Sequence, residues 1–378
     1  MIEPVDYIKS INRYAGVQPV KKNKQVITNS KQIIKIDGNE NPYGLPADVR
    51  LSEEDYTTVQ LYPDPLASEV VEALTKKENL STENIFVSAG SDELIDLLIR
   101  GYVKKNESVL TISPTFGMYQ YLAEVNGVTF KSVPMELSIS NNSAIAEYAI
   151  QKETFFQEAK KTKIVFIARP NNPDGQVIDS DFIKKLLSLP ILVVIDEAYI
   201  EFSNEKSMAN EVSSYENLII LRTFSKAYAL GGARIGYGIV PQSVRRTLLS
   251  IKQPYNVNGI AQILAYKALK NTKISENTKK IIQTRDKFFA SLINLAENQQ
   301  LFKVHTSEAS YILLTFFDYT VAKEFYLYMR ENGIFIRFYD SKAKFTNVRI
   351  SIGLDDQMDN VINKIKGFLD EGPNYDSN

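Results

Sequence analysis

Short, unbroken apolar runs alternate with helix-like segments between about residues 66 and 240, and this alternation constrains the fold more than any other feature of the chain. Ile191–Ile195 and Leu218–Leu221 contain no polar residue, whereas a strand with one face in water alternates apolar and polar side chains. Both runs are therefore predicted to be strands that are covered on both faces. Strands of this kind between helices indicate an α/β fold with an open, mostly parallel central sheet.

Three earlier segments show the same order of a short apolar run followed by a helical pattern. They are Ile85–Ser88 before Glu93–Lys104, Ser108–Ile112 before Gly117–Asn126, and Lys163–Ala168 before Asp181–Leu189. A polar stretch among them, Ser138–Ser143, is predicted to be a loop. We expect the large domain formed by these elements to extend over residues 46–255.

After about residue 256 the pattern changes to long helical segments and then to short strand-like runs. The helical segments are Ile260–Lys270, Ser275–Glu297 and Asp356–Leu369, and the strand-like runs are Tyr311–Phe317, Ile334–Phe338 and Val348–Ile352. This order is typical of a smaller α+β domain, and 378 residues are enough for two hydrophobic cores. Residues 1–45 and 256–378 are expected to form that domain, with an arm at the N-terminus.

The composition excludes several classes of partner and site. Lys and Arg number 44 against 45 Asp and Glu, so no basic surface for nucleic acid or for a membrane is predicted. The absence of cysteine and the single histidine, His305, exclude disulfides, thiol catalysis and any metal site that needs two imidazoles. No apolar run reaches the ~20 residues of a membrane span, and Met1–Asp6 lacks the features of a leader, so a cytoplasmic location is expected.

Five motifs with unusual chemistry follow the predicted strands. They are Ala89–Glu93, Ser113–Tyr119, Pro170–Gly175, Asp196–Tyr199 and Leu221–Tyr237. Each alone has an ordinary structural explanation, such as a helix cap, a packed aromatic ring, an Asx turn, an ion pair or an exposed lysine. Ligands in open α/β sheets bind at the carboxyl ends of the strands, where these motifs are expected to meet.

Together the motifs match the groups of one ligand. A glycine turn that opens a helix suits a phosphate, and an aromatic side chain suits stacking on a ring. An amide, a buried acid and a lysine between hydroxyl residues would match a phenolic oxygen, a ring nitrogen and an aldehyde. Pyridoxal 5′-phosphate has all of these groups, and it is the predicted cofactor.

The motifs, in this order and spacing, resemble those of the fold-type I pyridoxal phosphate-dependent aminotransferases, and more narrowly those of the histidinol-phosphate aminotransferases. The resemblance extends from about residue 30 to Gly353. It rests on Gly38–Gly44, Leu61–Asp64, Gly90–Glu93, Pro170–Gly175, Asp196–Tyr199 and Arg222–Ala227. The fold that it implies is a mostly parallel central sheet with a smaller α+β domain.

The resemblance implies a role for each matching residue around the cofactor ring. Lys226 would form the aldimine with the cofactor and then move the proton during transfer. Asp196 would pair with the pyridinium nitrogen. Asn172 and Tyr199 would hydrogen-bond the phenolic oxygen, and the ring of Tyr119 would stack on the pyridine.

The same resemblance implies a phosphate site, two substrate-binding arginines and a second subunit. The phosphate would be bound by Thr223, Ser225, Arg234 and the backbone N–H groups of Ser91 and Asp92. Arg349 would bind the substrate carboxylate, and Arg337 would bind its other anionic end, although Arg337 could instead form an ordinary surface ion pair. Tyr62 would reach the phosphate in the neighbouring subunit, so the resemblance implies a homodimer with shared active sites.

The chain also departs from the pattern that is common among these aminotransferases. Asp174 replaces a frequent threonine, Gly232–Ala233 replaces bulkier residues, Phe338–Tyr339 replaces small ones, and Ser310 lies near a frequent asparagine. None of these departures affects the lysine chemistry. They lie close to the substrate or to the cofactor, so the reaction type follows more directly from the motifs than the substrate does.

The activity implied by the resemblance is transfer of an amino group between L-histidinol phosphate and 2-oxoglutarate, in histidine biosynthesis. An aromatic amino acid aminotransferase and a threonine-phosphate decarboxylase are alternatives on the same fold. A nicotinamide dehydrogenase is disfavoured because Gly231, Gly232 and Gly236 do not have the spacing of a dinucleotide fingerprint. A hydrolase would need a Gly-x-Ser-x-Gly elbow, which the sequence lacks. A cofactor-binding regulator would ordinarily carry a DNA-reading module, and the sequence has neither a basic region nor spare length for one.

Overall fold

Strands make up two large sheets and one small one in a computed structural model that describes residues 3–9, 11, 33–140, 142–340 and 345–372. The strands are β1 (Ile34–Lys35), β2 (Ile85–Ser88), β3 (Ser108–Ser113), β4 (Thr129–Pro134), β5 (Glu136–Ile139), β6 (Ile145–Ala149), β7 (Ile164–Ala168), β8 (Leu192–Asp196), β9 (Leu218–Thr223), β10 (Gly236–Ile239), β11 (Phe302–His305), β12 (Tyr311–Phe316), β13 (Ile334–Phe335), β14 (Arg337–Phe338) and β15 (Thr346–Ser351).

The α-helices are mostly amphipathic and cover the sheets. Those in the described part of the chain are α1 (Asp6–Lys9), α2 (Glu53–Tyr56), α3 (Ser68–Glu78), α4 (Ser91–Tyr102), α5 (Met118–Val125), α6 (Lys152–Ala159), α7 (Ser180–Leu187), α8 (Gln242–Ile251), α9 (Gly259–Leu269), α10 (Lys273–Gln299), α11 (Tyr319–Glu331) and α12 (Asp355–Glu371). The helices predicted after β2, β3 and β7 correspond to α4, α5 and α7, with small differences at their ends.

The larger sheet has seven strands in the order β2-β10-β9-β8-β7-β3-β4. All neighbouring pairs are parallel except those of β10, which is antiparallel to both β2 and β9. Alternate residues of the central strands enter different core clusters, with Val193 and Ile195 in one and Val194 in the other. The prediction of a mostly parallel sheet covered on both faces is therefore confirmed.

The second sheet has six strands in the order β14-β15-β12-β11-β6-β5 and is mainly antiparallel. Its outer pair, β5 and β6, comes from residues 136–149, well before the other strands in the chain. The predicted loop Ser138–Ser143 is therefore wrong in part, because residues up to Ile139 belong to β5. Side chains of β5 alternate between exposed and half-buried positions, so this strand lacks the unbroken apolar run by which the central strands are predicted.

A buried ion pair fixes the segment that follows β8. Glu197 is fully buried, and Arg222 of β9 donates from Nε to Glu197 Oε2 over 2.9 Å. Arg222 also donates from Nη1 to Glu201 Oε1 over 3.0 Å and from Nη2 to Ser207 Oγ over 2.9 Å. These bonds hold the chain rigidly next to Asp196, the last residue of β8.

The described residues have the features of neither a membrane span nor a metal centre. Within those residues, no helix combines the length and apolarity that a membrane crossing requires. The described part of the chain also contains no group of three or more His, Cys, Asp or Glu side chains that could hold a metal ion.

Candidate active site

A cavity of about 560 Å³ lies at the carboxyl ends of the central strands of the larger sheet. All but two of the site residues predicted from the sequence line it. These are Ser91, Asp92, Asn172, Asp196, Tyr199, Thr223, Ser225, Lys226, Arg234, Arg337 and Arg349. The two exceptions are Tyr62 and Tyr119.

Lys226 supplies the amine of the cavity. Its Nζ donates a hydrogen bond of 3.0 Å to the carbonyl oxygen of Gly38, which lies in the segment after β1. Burial lowers the pKa of Lys226 from 10.5 to about 8, and the nearby charge of Arg349 acts in the same direction. An amine with this pKa loses its proton much more readily than an exposed lysine, as a nucleophile and proton carrier requires.

Asp196 supplies a buried carboxylate on the cavity wall. Its Oδ2 accepts a hydrogen bond of 2.9 Å from the Tyr119 hydroxyl, and its Oδ1 accepts one of 3.1 Å from the backbone N–H of Ala198. No cationic side chain among the described residues contacts this carboxylate, in contrast to Glu197, which pairs with Arg222. Burial raises the pKa of Asp196 from 3.8 to about 6. The site therefore suits a ligand that brings a positive charge to Asp196.

The anion-binding end of the cavity is the start of α4. Gly90 precedes this helix with φ of 83°, and no side chain caps the first turn, so the N–H groups of that turn are available to an anion. Arg234 lies beside the helix start, and its Nη2 donates to Asp92 Oδ2 over 3.0 Å. A Cβ at position 90 would lie 2.8 Å from this nitrogen, so only glycine allows the guanidinium to approach.

Two hydroxyl side chains complete this end. Thr223 is the last residue of β9, and its Oγ1 accepts a hydrogen bond of 3.0 Å from the backbone N–H of Ser225. Both residues line the cavity together with the first turn of α4. The combination of helix start, guanidinium and hydroxyl groups is suited to a phosphate.

Arg349 holds the opposite side of the cavity together. It lies on β15, donates from Nη1 to Asn172 Oδ1 over 2.6 Å and from Nη2 to the carbonyl oxygen of Asp37 over 2.9 Å. Its Nε is buried without a hydrogen-bond partner among the residues that the structure describes. The Tyr199 hydroxyl accepts from Asn39 Nδ2 over 2.8 Å nearby.

A second arginine and an aromatic ring lie on the same side. Arg337, on β14, also lines the cavity, and its guanidinium carbon is 5.9 Å from the centre of the Tyr339 ring. The register of β14 and β15 places Arg337 directly opposite Arg349. Two cations on neighbouring strands give this side of the cavity the charge needed to bind anionic groups of a substrate.

The prediction that the Tyr119 ring stacks on the cofactor is wrong in this structure. Tyr119 is fully buried on α5 and stacks on Phe166, with ring centres 5.1 Å apart and an interplanar angle of 8°. Phe116 lies before α5 begins, and its ring lines the cavity instead. Tyr119 contacts the site through its hydrogen bond to Asp196 and through the edge-to-face packing of its ring on Phe116, with ring centres 5.6 Å apart.

Tyr62 does not reach the cavity of its own chain. Its side chain is 83% exposed, and its ring stacks on Tyr255 with ring centres 4.7 Å apart. The resemblance assigns this residue to the neighbouring subunit's site, and the position on an exposed surface is compatible with that assignment.

Sequence reasoning assigned no role to Asp37–Glu40, although all four residues line the cavity. Three of them form hydrogen bonds with predicted site residues: Asp37 with Arg349, Gly38 with Lys226, and Asn39 with Tyr199. The sequence signal that could have identified these residues is the motif Gly38–Gly44, which contributes to the resemblance although no function was assigned to it.

The residues of the cavity fit pyridoxal 5′-phosphate. The uncapped start of α4 suits its phosphate, and the unpaired buried Asp196 suits a protonated ring nitrogen. Lys226, with its lowered pKa, suits its aldehyde. Asn172 and Tyr199 line the same cavity, and hydrogen bonds from them to the phenolic oxygen are expected.

Comparisons with known proteins agree with this arrangement. The family model "Aminotransferase class I and II" matches residues 31–365. The chain is 37% identical over 340 residues to the chloroplastic histidinol-phosphate aminotransferase of Nicotiana plumbaginifolia, covering 89% of this chain and 79% of that one. It is 35% identical over 339 residues to the histidinol-phosphate aminotransferase of Dehalococcoides mccartyi, covering 89% of this chain and 91% of that one.

A solved structure shows the same fold at lower sequence identity. It is the histidinol-phosphate aminotransferase of Sinorhizobium meliloti in complex with pyridoxal 5′-phosphate, which superposes with a TM-score of 0.83 and 23% identity. The alignment covers 98% of each chain. The predicted fold class is thereby confirmed.

Proposed function

Because the chain belongs to the class I and II aminotransferases, and within them to the histidinol-phosphate aminotransferases, we propose that it transfers an amino group between L-histidinol phosphate and 2-oxoglutarate. The cofactor is pyridoxal 5′-phosphate. The observation that carries the proposal is the meeting, in one cavity, of a lysine with a lowered pKa, an unpaired buried acid and two arginines.

When bound, the cofactor would supply an electron-accepting ring that stabilises negative charge at the substrate's α-carbon. Lys226 would hold the cofactor covalently through Nζ and later carry the proton between the α-carbon and the cofactor. Asp196 would keep the proton on the ring nitrogen, and Asn172 and Tyr199 would orient the phenolic oxygen. Arg234, Thr223, Ser225 and the start of α4 would bind the phosphate.

Arg349 and Arg337 are proposed to bind the anionic ends of both substrates. Histidinol phosphate carries a phosphate and 2-oxoglutarate carries two carboxylates, so each brings negative charge to the side of the cavity formed by β14 and β15. A planar guanidinium binds either group through two parallel hydrogen bonds. The division into a large domain of residues 46–255 and a small one of 1–45 plus 256–378, and the cytoplasmic location, stay predictions.

The substrate is tested by single-turnover spectroscopy. Purified protein in its pyridoxal form is mixed with histidinol phosphate, tyrosine, phenylalanine or threonine phosphate, and the visible absorption band of the bound cofactor is followed. We expect histidinol phosphate to bleach the band at the lowest concentration, and 2-oxoglutarate to restore it with release of glutamate. Bleaching by tyrosine at a lower concentration would identify an aromatic aminotransferase, and release of carbon dioxide from threonine phosphate would identify a decarboxylase.

We further propose that the protein works as a homodimer in which Tyr62 of each subunit completes the partner's site. The surface around this residue is apolar and exposed, with Tyr56, Val59, Leu61 and Leu66 between 49% and 65% exposed. Apolar side chains concentrated on one surface segment commonly mark an interface between subunits. A tyrosine hydroxyl in a phosphate site contributes one hydrogen bond.

The dimer is tested by sedimentation equilibrium on three proteins. The unchanged protein should have twice the mass of one chain, and Leu61→Asp should dissociate it and lower turnover. Tyr62→Phe should leave the dimer intact and weaken cofactor binding roughly tenfold, the loss expected for one hydrogen bond to a charged group. A fully active monomer, or unchanged cofactor affinity in Tyr62→Phe, would contradict the proposal.

A further inference from the structure

Asp174 is a buried acid next to the active site to which the proposed reaction assigns no role. It lies two residues after Asn172, in the turn between β7 and α7, and its side chain is fully buried. No ion pair involves it within the described part of the chain. It also replaces the threonine that is common at this position in the aminotransferases that the chain resembles.

The groups around the carboxylate all donate hydrogen bonds. Asn171 Nδ2 donates to Oδ1 over 2.7 Å. With the Gln176 amide assigned so that its nitrogen faces two oxygens, Nε2 donates to Asp174 Oδ2 over 3.2 Å and to the carbonyl oxygen of Tyr148 over 2.7 Å. A carboxylate accepts all of these bonds, whereas a protonated acid or an amide would direct a hydrogen at a donor.

Asn171 connects the carboxylate to the rest of the site. Its Oδ1 accepts from the Thr115 hydroxyl over 2.7 Å, and its carbonyl oxygen accepts from the Tyr311 hydroxyl over 2.6 Å. Thr115 lines the cavity next to Phe116, and Tyr311 belongs to the second sheet. The turn is therefore fastened on one side to the aromatic wall of the cavity and on the other to the smaller sheet.

The turn has little freedom to adjust if these bonds are lost. Gly175 has φ of 79°, and a Cβ there would lie 2.1 Å from Ser307 Oγ, so the turn is packed directly against the segment before β12. Asn172, inside the turn, is held by Arg349 at 2.6 Å. We propose that Asp174 is a positioning residue for Asn172, and that its ionised carboxylate fixes the amide that binds the cofactor's phenolic oxygen. This inference rests on the proposed role of Asn172.

The ionisation state of Asp174 is expected to change near neutral pH. Burial raises the pKa of Asp174 from 3.8 to about 7, while the surrounding N–H donors oppose the shift. The titratable groups that face it from the neighbouring elements are the phenols of Tyr148, Tyr311 and Tyr339, whose pKa values burial raises from about 10, so they stay neutral. The carboxylate therefore predominates above about pH 7 and is lost below it.

The test measures binding of pyridoxamine 5′-phosphate, which forms no covalent bond with Lys226, to cofactor-free protein by isothermal titration calorimetry at pH 8.5 and pH 5.5. At pH 8.5 we expect Asp174→Asn to bind about tenfold to a hundredfold more weakly than the unchanged protein, because hydrogen bonds to a charged group are lost. At pH 5.5 the two proteins should agree within about twofold, because Asp174 is then protonated. Asp196, Lys226 and the phosphate also titrate, but they do so in both proteins, so their effect cancels in the ratio of the two dissociation constants at each pH.

A purely structural role predicts the same ratio of dissociation constants at both pH values, and that result, or equal binding at pH 8.5, would overturn the proposal. Asp174→Thr carries the side chain common in these aminotransferases and cannot ionise, so it should give a smaller loss at pH 8.5 that likewise disappears at pH 5.5, which keeps the test decisive if Asp174→Asn folds poorly. Asn172→Ala separates the two levels of inference. If it binds normally, the proposed role of Asn172 fails. If it binds weakly and Asp174→Asn causes the same further loss in that background as alone, only the coupling fails.

Discussion

Replacing Lys226 with alanine is expected to lower kcat by about 10⁴-fold, the upper end of what one positioned acid–base group contributes. The reason is the protonation state of its amine. With a pKa of about 8, roughly a tenth of the side chains are neutral at pH 7, against a few in ten thousand for a lysine with a pKa of 10.5. The measurements are turnover of histidinol phosphate and mass spectrometry after borohydride reduction, which should attach the cofactor to position 226 in the unchanged protein alone.

Two controls distinguish lost chemistry from lost structure. Lys226→Arg keeps the positive charge but supplies no neutral amine, so it should be as inactive as the alanine variant. Lys303 is another buried lysine, on β11, whose Nζ donates to the carbonyl oxygen of Ser143 over 2.6 Å, and neither residue lines the cavity. Lys303→Met should keep near-normal kcat. Turnover in Lys226→Ala above about a hundredth of normal would contradict the assignment.

The central strands and the chemistry at their ends could be predicted from the sequence because both signals are local. Ile191–Ile195 predicted a buried strand, and the observed β8 ends one residue later, at Asp196. An acid directly after such a strand needs a cation, either from the protein or from a ligand. Glu197 pairs with Arg222, whereas Asp196 has no cationic partner among the described residues. The position of Lys226 followed from the resemblance and from its place after β9.

Other features depend on contacts between residues far apart in the sequence. The motif Ser113–Tyr119 contains two aromatic residues, and only the point at which α5 begins decides that Phe116 faces the cavity while Tyr119 turns into the core. The hydrogen bonds around Asp174 include partners near residues 115, 148 and 311, which spacing alone does not bring together. The predicted role of Tyr62 concerns contacts with a second chain, so it follows from the resemblance and not from any local pattern in the sequence.

Replacing Asp196 with asparagine is expected to lower kcat about a thousandfold. An acid that faces a charged ring nitrogen at about 4 Å contributes about 4 kcal/mol at an effective dielectric constant of 20, which corresponds to three powers of ten in rate. Tyr119→Phe removes one hydrogen bond from the same carboxylate but keeps its charge, so it should cost about tenfold or less. Turnover of Asp196→Asn above a tenth of normal would contradict the role.

The same substitution is expected to stabilise the cofactor-free protein at pH 8, and this opposite sign separates function from folding. Burial raises the pKa of Asp196 from 3.8 to about 6, so the folded chain holds a proton that the unfolded chain has released. The resulting stability is complete below about pH 4 and is lost as the pH rises through 6, at a cost of up to about 3 kcal/mol. Asparagine stays neutral, so urea unfolding of the cofactor-free variant should require more denaturant than normal at pH 8 and about the same at pH 4.

Glu197→Gln is the matched control for this argument. Glu197 is the neighbouring acid in the sequence, but its carboxylate pairs with Arg222, so neutralising it removes one of the two carboxylates that pair with this buried guanidinium. Breaking a buried pair in this way costs about 3–5 kcal/mol, which should appear as lost stability at pH 8 with a much smaller loss of kcat. If Asp196→Asn instead behaved like Glu197→Gln, Asp196 would be a structural acid. A gain in stability together with a loss of turnover is expected only if the folded chain keeps an unfavourable charge that the bound cofactor compensates.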